Sequence, residues 1–288
     1  MFYHGISNGK KELLKKIKIK NLFDNIKSKK ILKSIFDNLS TKKELEIVKL
    51  NKNIKKRLNI SIKDYENYFK TEIEIILAEN KYSQFINIPS EQKDYYYHIY
   101  FNGDKEERKR YYSSYNDKGI KIEVDFYVKT YEKLFYSCYS IKSINFLKFN
   151  NILINNMSFM FYKCTSLIKL NLSNFNTENI TDMSSMFYGC VSLEELDLSE
   201  FNTNNVTNMC SMFNGCKSLK KLELSNFSTN KATDISSMFR GCYFLKELDI
   251  SNFKIRKETN INCMFKGCSK DFIEKIKYFN KNLGEEAF

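Results

Sequence analysis

The sequence predicts an α+β repeat solenoid, with a parallel sheet on one face, short helices on the other and a helical module ahead of it. Cysteines carry the first observation: Cys138, Cys164, Cys190, Cys216, Cys242 and Cys268 stand 26 residues apart at every step. Other apolar columns keep the same register. Phe135, Phe161, Phe187, Phe213, Phe239 and Phe265 precede the cysteines by three, and Met160, Met186, Met212, Met238 and Met264 form a further column. The third observation is a change of period within each unit. In "LEELDLSEF", Leu196 and Leu198 alternate with polar residues as in a half-buried strand, whereas Met183, Met186 and Phe187 follow helical spacing. One unit cannot bury its apolar side alone, but stacked copies can.

Taken in order, residues 1–72 read as a basic helical module. Residues 1–70 carry 19 Lys/Arg against 7 Asp/Glu, whereas residues 131–288 are close to balanced at +3. Lysine supplies 42 of the 47 basic residues, and arginine, the usual reader of phosphate and guanine, only five. That bias argues against nucleic acid as a partner. "KKILKSIFDNLS" places apolar residues on one helical side, Thr41 with Glu44 forms a capping box, and Ser61 opens "SIKDYENYFK". Through Ile31, Leu32, Ile35, Phe36, Leu39 and Leu45 the segment resembles an F-box, without that pattern's Leu-Pro start or later tryptophan. The resemblance implies docking to an adaptor, as in the substrate receptor of a ubiquitin ligase.

Residues 73–130 read as a β-rich cap. "EIEIILAEN", "DYYYHIYFNGDKEERKRYYSSY" and "IKIEVDFYVKTYEKLF" alternate in strand fashion, and Asn102-Gly103-Asp104 is a hairpin turn signal. Such strands would seal the first unit's edge, which would otherwise template aggregation.

Residues 131–268 hold the repeats. In "TDMSSMFYGC" the Thr181-Asp182 pair is placed to cap a helical turn and Gly189 to stop it, and Asn202 to Asn205 form a turn. The joined pattern "LxxLxLSxF" with "NxxNVTxMSSMFxGCxSL" resembles the BspA-type leucine-rich repeats, including the group called mycoplasma-type surface repeats. The resemblance implies a leucine-rich-repeat solenoid whose surface binds partners, often on the cell exterior, and brings no catalytic residues. Residues 269–288 close the chain with "SKDFIEKIKYFNKN", an amphipathic helix suited to cap the last unit, and a tail.

Chemistry is sparse. Histidines number two, and no P-loop, GxGxxG, HExxH, CxxC or Ser/His/Asp arrangement occurs, so no catalytic residue, cofactor or metal ligand is expected. The six columnar cysteines are expected to be buried free thiols, with Cys210 and Cys263 more reachable because serine mostly fills their columns. Partner-binding candidates are the outward strand positions. One column, Lys169, Glu195, Lys221 and Glu247, alternates in sign and neutralises itself, whereas the next, Asn171, Asp197, Glu223 and Asp249, is acidic with no internal compensation.

No secretion signal and no apolar run long enough to span a membrane is read. The expectation is therefore a non-enzymatic protein–protein interaction module, a cytoplasmic adaptor binding a protein of unknown identity. The alternatives are a BspA-like adhesin at the cell surface, exported by an unrecognised route, and the F-box-like receptor.

Overall fold

The structure, a computed structural model, describes residues 70–78, 82–88, 94–125, 128–149, 154–280 and 283–288. All belong to the compact unit Phe69–Phe288. The F-box-like residues Ile31, Leu32, Ile35, Phe36, Leu39 and Leu45 lie outside the described residues.

The fold is mostly sheet, with one α-helix among the described residues. Strands β1 (Thr71–Leu77), β2 (Tyr97–Phe101), β3 (Gly119–Val124), β4 (Ile141–Lys148) and β5 (Lys169–Asn171) form a mixed sheet in the order β2-β3-β1-β4-β5. Alternation dictates the buried face: Ile73 and Ile75 of β1, Ile99 of β2 and Ile120, Ile122 and Val124 of β3 point into the core. Asn102 (φ 54°) and Gly103 (φ 82°) both take the left-handed conformation that a tight hairpin turn requires, and Asp104 N–H closes it on Phe101 O at 2.9 Å. β1 runs antiparallel to both β3 and β4, whereas β4 runs parallel to β5. β4 thus belongs to the antiparallel cap on one side and to the repeats on the other.

Each repeat places a six-residue run of turns opposite its strand: 132–137, 158–163, 184–189, 210–215, 236–241 and 262–267. The short helices expected here are not formed, and the hydrogen bonds give the reason. In a helix every interior N–H bonds within the segment. Here alternate donors leave it. Met183, Ser185, Phe187 and Gly189 donate to the carbonyls of Asn208, Cys210, Met212 and Asn214 in the next unit at 2.7–2.9 Å. Met186, Tyr188 and Cys190 donate locally, to the residue three back, at 3.2–3.3 Å. Left-handed residues at Ser185 (φ 53°) and Gly189 (φ 68°) turn the chain so that both sets are satisfied. A Cβ at Gly189 would stand 3.2 Å from Lys163 Cγ of the preceding unit. Asp182 caps the run rather than a helix, its carboxylate accepting from Ser184 N–H at 2.8 Å. Asn156, Asp182, Asn208, Asp234 and Asn260 bridge unit to unit in this column. Because asparagine alternates with aspartate there, no two carboxylates are adjacent.

Three buried columns bind unit to unit. Phe135, Phe161, Phe187, Phe213, Phe239 and Phe265 stack face to face at 5.5–5.7 Å, within 11° of parallel. Each columnar cysteine from Cys164 onward donates its thiol to the phenylalanine carbonyl of the preceding unit, at 3.0–3.2 Å. Thr177, Thr203 and Thr229 are fully buried and work in both directions. Thr203 Oγ1 donates to Ser228 O (3.0 Å) and accepts from Ser228 N–H (2.7 Å). The array ends in α1 (Lys270–Phe279), whose cap Ser269 accepts from Phe272 N–H and whose Phe272 and Ile276 are buried.

All eight cysteines are free; the six columnar ones are buried, and Cys210 and Cys263 are partly exposed. Burial pushes the Cys216 and Cys268 thiols up to about 12 and raises those of Cys138, Cys164, Cys190 and Cys242 as well. A raised folded-state value makes each contribution fully present below the unfolded thiol pKa of about 8.5 and lost as pH rises toward the folded value. Stability against urea should therefore hold to about pH 8 and fall steeply between about 9 and 12, by about 1.4 kcal/mol per thiol per pH unit. A flat alkaline profile would contradict the burial. Thr203→Val keeps the shape but strands a buried N–H and carbonyl, and should cost about 2 kcal/mol in the same urea titration.

Candidate interaction surface

The outward strand face is carried by β5, by residues 195–197, by β6 (Lys221–Glu223) and by β7 (Glu247–Asp249). A continuous parallel sheet was expected here. Instead pairing stops after β5 and resumes with β6·β7, and residues 195–197 are not strand. The bond from Ile168 N–H to Lys142 O (2.9 Å) recurs at Lys220–Glu194 and Lys246–Lys220. Among the described residues it has no counterpart from Glu194 to Ile168.

One residue sets the β5 side of the opening apart. Asn174 Nδ2 donates to Phe146 O and Leu147 O of the preceding unit, and Asn226 Nδ2 to Leu198 O, Ser199 O and Phe201 O. Asn252 bonds Ser225 O in the same manner. The residue in this column between Asn174 and Asn226 is Glu200. A carboxylate only accepts, so it cannot clamp carbonyls of the unit before it. Sequence reasoning missed Glu200; the signal was "LSEF" where the units on either side read "LSNF".

The opening leaves a groove of about 770 Å³. Ile168, Lys169 and Leu170 form one wall, Glu195 to Ser199 the floor, and Lys221, Glu223, Ser225 and Asn226 the other wall. Of the eight predicted partner-binding positions, all exposed, the groove gathers Lys169, Glu195, Asp197, Lys221 and Glu223, while Asn171, Glu247 and Asp249 lie outside it.

Part of the acidic column is engaged from outside it. Glu223 pairs with Lys221 at 2.8 Å, and Lys221 also reaches Glu247 at 3.6 Å. Asp197 and Asp249 accept the backbone N–H of Ser199 and Ser251, each at 2.9 Å, closing the turn after the strand. Those N–H groups first, and the serine hydroxyls second, hold both carboxyls below the usual aspartate range. Asn171 makes the same turn with Ser173. Charge on this face is thus partly committed to local geometry, leaving Glu195 and Lys169 without an ion pair among the described residues.

The turn side carries a second surface that the sequence reading did not single out. Tyr136, Tyr162 and Tyr188, all half-buried, stack at 4.7 Å and within 15° of parallel. Their faces are occupied by one another. Among the described residues no group of three or more His, Cys, Asp or Glu is placed to hold a metal ion, and no helix is long and apolar enough to cross a membrane.

Replacing Glu200 by asparagine supplies the missing clamp. Glu200→Asn should close the sheet, protect the amide of Glu194 from hydrogen exchange and raise stability by about 1 kcal/mol. An unchanged exchange rate at Glu194 would show that the opening has another origin.

Comparison with known families matches residues 128–242 and 193–285 to one described as "Mycoplasma protein of unknown function, DUF285". No curated protein and no solved structure matches the chain. The two matches overlap, as a repeated unit requires, and neither reaches the F-box-like segment around Ile31 to Leu45. Together they span β4, the repeats and α1, more than half of the residues. The chain belongs to the DUF285 family.

Proposed function

We propose that this chain is a non-enzymatic protein-binding module, its repeats forming a leucine-rich-repeat solenoid and its strand-face groove receiving a partner protein. The observation that carries this reading is the coincidence of the groove with the break in strand pairing at residues 195–197. There, exposed charges of both signs surround Leu196 and Leu198. Exposed charges add little to stability, so Lys169 and Glu195, which hold no ion pair among the described residues, are free to serve recognition.

The reading places the partner inside the cell, with the chain as an adaptor. A second reading, favoured by the likeness of "MSSMFxGCxSL" to mycoplasma-type surface repeats, places the same groove on the cell exterior as part of an adhesin. Protease treatment of intact cells separates the two, since only the second exposes the repeats to the enzyme.

The groove itself is tested with the full chain as bait. Glu195→Gln, Asp197→Asn and Glu223→Gln together leave the Asp197 turn intact, because asparagine makes it at position 171. Capture of the partner should fall about tenfold, equivalent to about 1.4 kcal/mol, with stability unchanged. Undiminished capture by this variant, with loss on replacing Tyr136, Tyr162 and Tyr188 by serine, would move the site to the turn side.

A further inference from the structure

The two backbone ladders of the repeats end differently. On the turn side the array is closed: Cys263 and Phe265 donate to the carbonyls of Glu286 (2.6 Å) and Ala287 (2.7 Å). Phe288 stacks on Phe265 at 5.6 Å, and Lys277 lies over the Phe288 ring at 4.5 Å. Residues 285–288 thus supply the carbonyls and the ring that another unit would bring. On the strand side β7 has no such successor among the described residues. The residues that stand one repeat beyond it, Ile273 to Lys275, belong to α1.

α1 reaches the array through Phe272 and Ile276 and stands off from β7, leaving a groove of about 960 Å³. Its apolar lining is incompletely covered. Leu222 and Phe227 are each 1% exposed in the preceding unit, whereas their counterparts Leu248 and Phe253 are only partly buried. Tyr278 and Phe279 at the rim are 72% and 71% exposed. Charge in the lining is mostly positive, three lysines against the single carboxylate of Asp249. Lys246, Lys254 and Lys275 line the groove without an ion pair among the described residues, and the carboxylate of Asp249 is engaged by Ser251.

We propose that this groove binds an extended peptide segment of a partner protein, which adds to the open edge of β7 as a further strand. Its backbone completes the ladder that α1 leaves open, its apolar residues lie against Leu248, Phe253 and Ile276, and its acidic residues face the three lysines. An unpaired strand edge beside an apolar groove is the arrangement that strand addition uses, with main-chain bonds giving affinity and alternate side chains giving specificity. The volume lies in the upper part of the range of ligand clefts, room for a short segment. The site is separate from the groove at residues 195–199 and does not depend on its function.

The test uses the full chain and fluorescent, terminally blocked peptides read by anisotropy. A peptide alternating glutamate and valine should bind saturably, and its lysine–valine counterpart about tenfold more weakly. The variant Lys254→Glu with Lys275→Glu, both exposed positions, should invert that preference. Methylating alternate backbone nitrogens of the acidic peptide keeps its charge, removes its donors and should abolish binding. The Glu195, Asp197 and Glu223 triple variant should bind the acidic peptide as the natural chain does. Retained binding of the methylated peptide, or indifference to the Lys254 and Lys275 reversal, would assign the affinity to general attraction by basic segments and overturn the proposal. So would absence of saturable binding, or self-association of the chain that the acidic peptide does not compete.

Discussion

The alternation of hydrogen-bond donors along the turn runs is the constraint on which the rest of the repeat structure depends. Every second N–H between Met183 and Gly189 is spent on the next unit, and the ones between are spent locally. An all-local pattern would give a helix that satisfies itself and leaves its neighbour to be held by side chains alone. An all-outward pattern would give a strand with no room for the turn. Left-handed residues at two places in each run permit the mixture. Once it is adopted, the phenylalanine ring, the thiol and the methionine of each unit fall directly over those of the one before.

Side chains then finish what the backbone cannot. The turn between strand and turn run would bury carbonyls and N–H groups, and one threonine satisfies a pair of them at each step. The cysteine serves a phenylalanine carbonyl in the same way, which is why a small residue with a weak donor fills that column. At the strand end the asparagine clamp does the corresponding work, and its replacement by Glu200 leaves a gap. A candidate interaction groove therefore coincides with a missing donor on one of its sides rather than with an added loop.

Much of the fold was legible because burial repeats with the chain. The cysteine, phenylalanine and leucine columns marked the core, and the Asn102-Gly103 pair marked its turn through its conformational demand. The helical reading of Met183, Met186 and Phe187 failed because apolar spacing of three and four also fits consecutive turns, and periodicity does not say where N–H groups point. Partner positions were legible only as a face. Lys169, Glu195, Asp197, Lys221 and Glu223 come together where the sheet opens, beside Glu200, which stands in a column of asparagines at 174, 226 and 252. What the sequence pattern did not show at Asp197 and Asp249 is that the serine two residues on makes each carboxylate a turn acceptor as well as a charge.

Strand β4 has a consequence for how the chain reaches this state. It pairs backward with β1 at a separation near seventy residues, as in Ile75 with Ile144, and forward with β5 at 26, as in Ile144 with Leu170. The first is a long loop to close and the costly one in chain entropy, whereas every later unit closes a loop of the same modest size. Closing costs grow only with the logarithm of loop length, so an added unit carries a fixed entropic charge met by a fixed set of contacts. Arrays of this kind are free to vary in unit number over evolutionary time without becoming slower to form, provided the strand that joins cap to repeats stays in register.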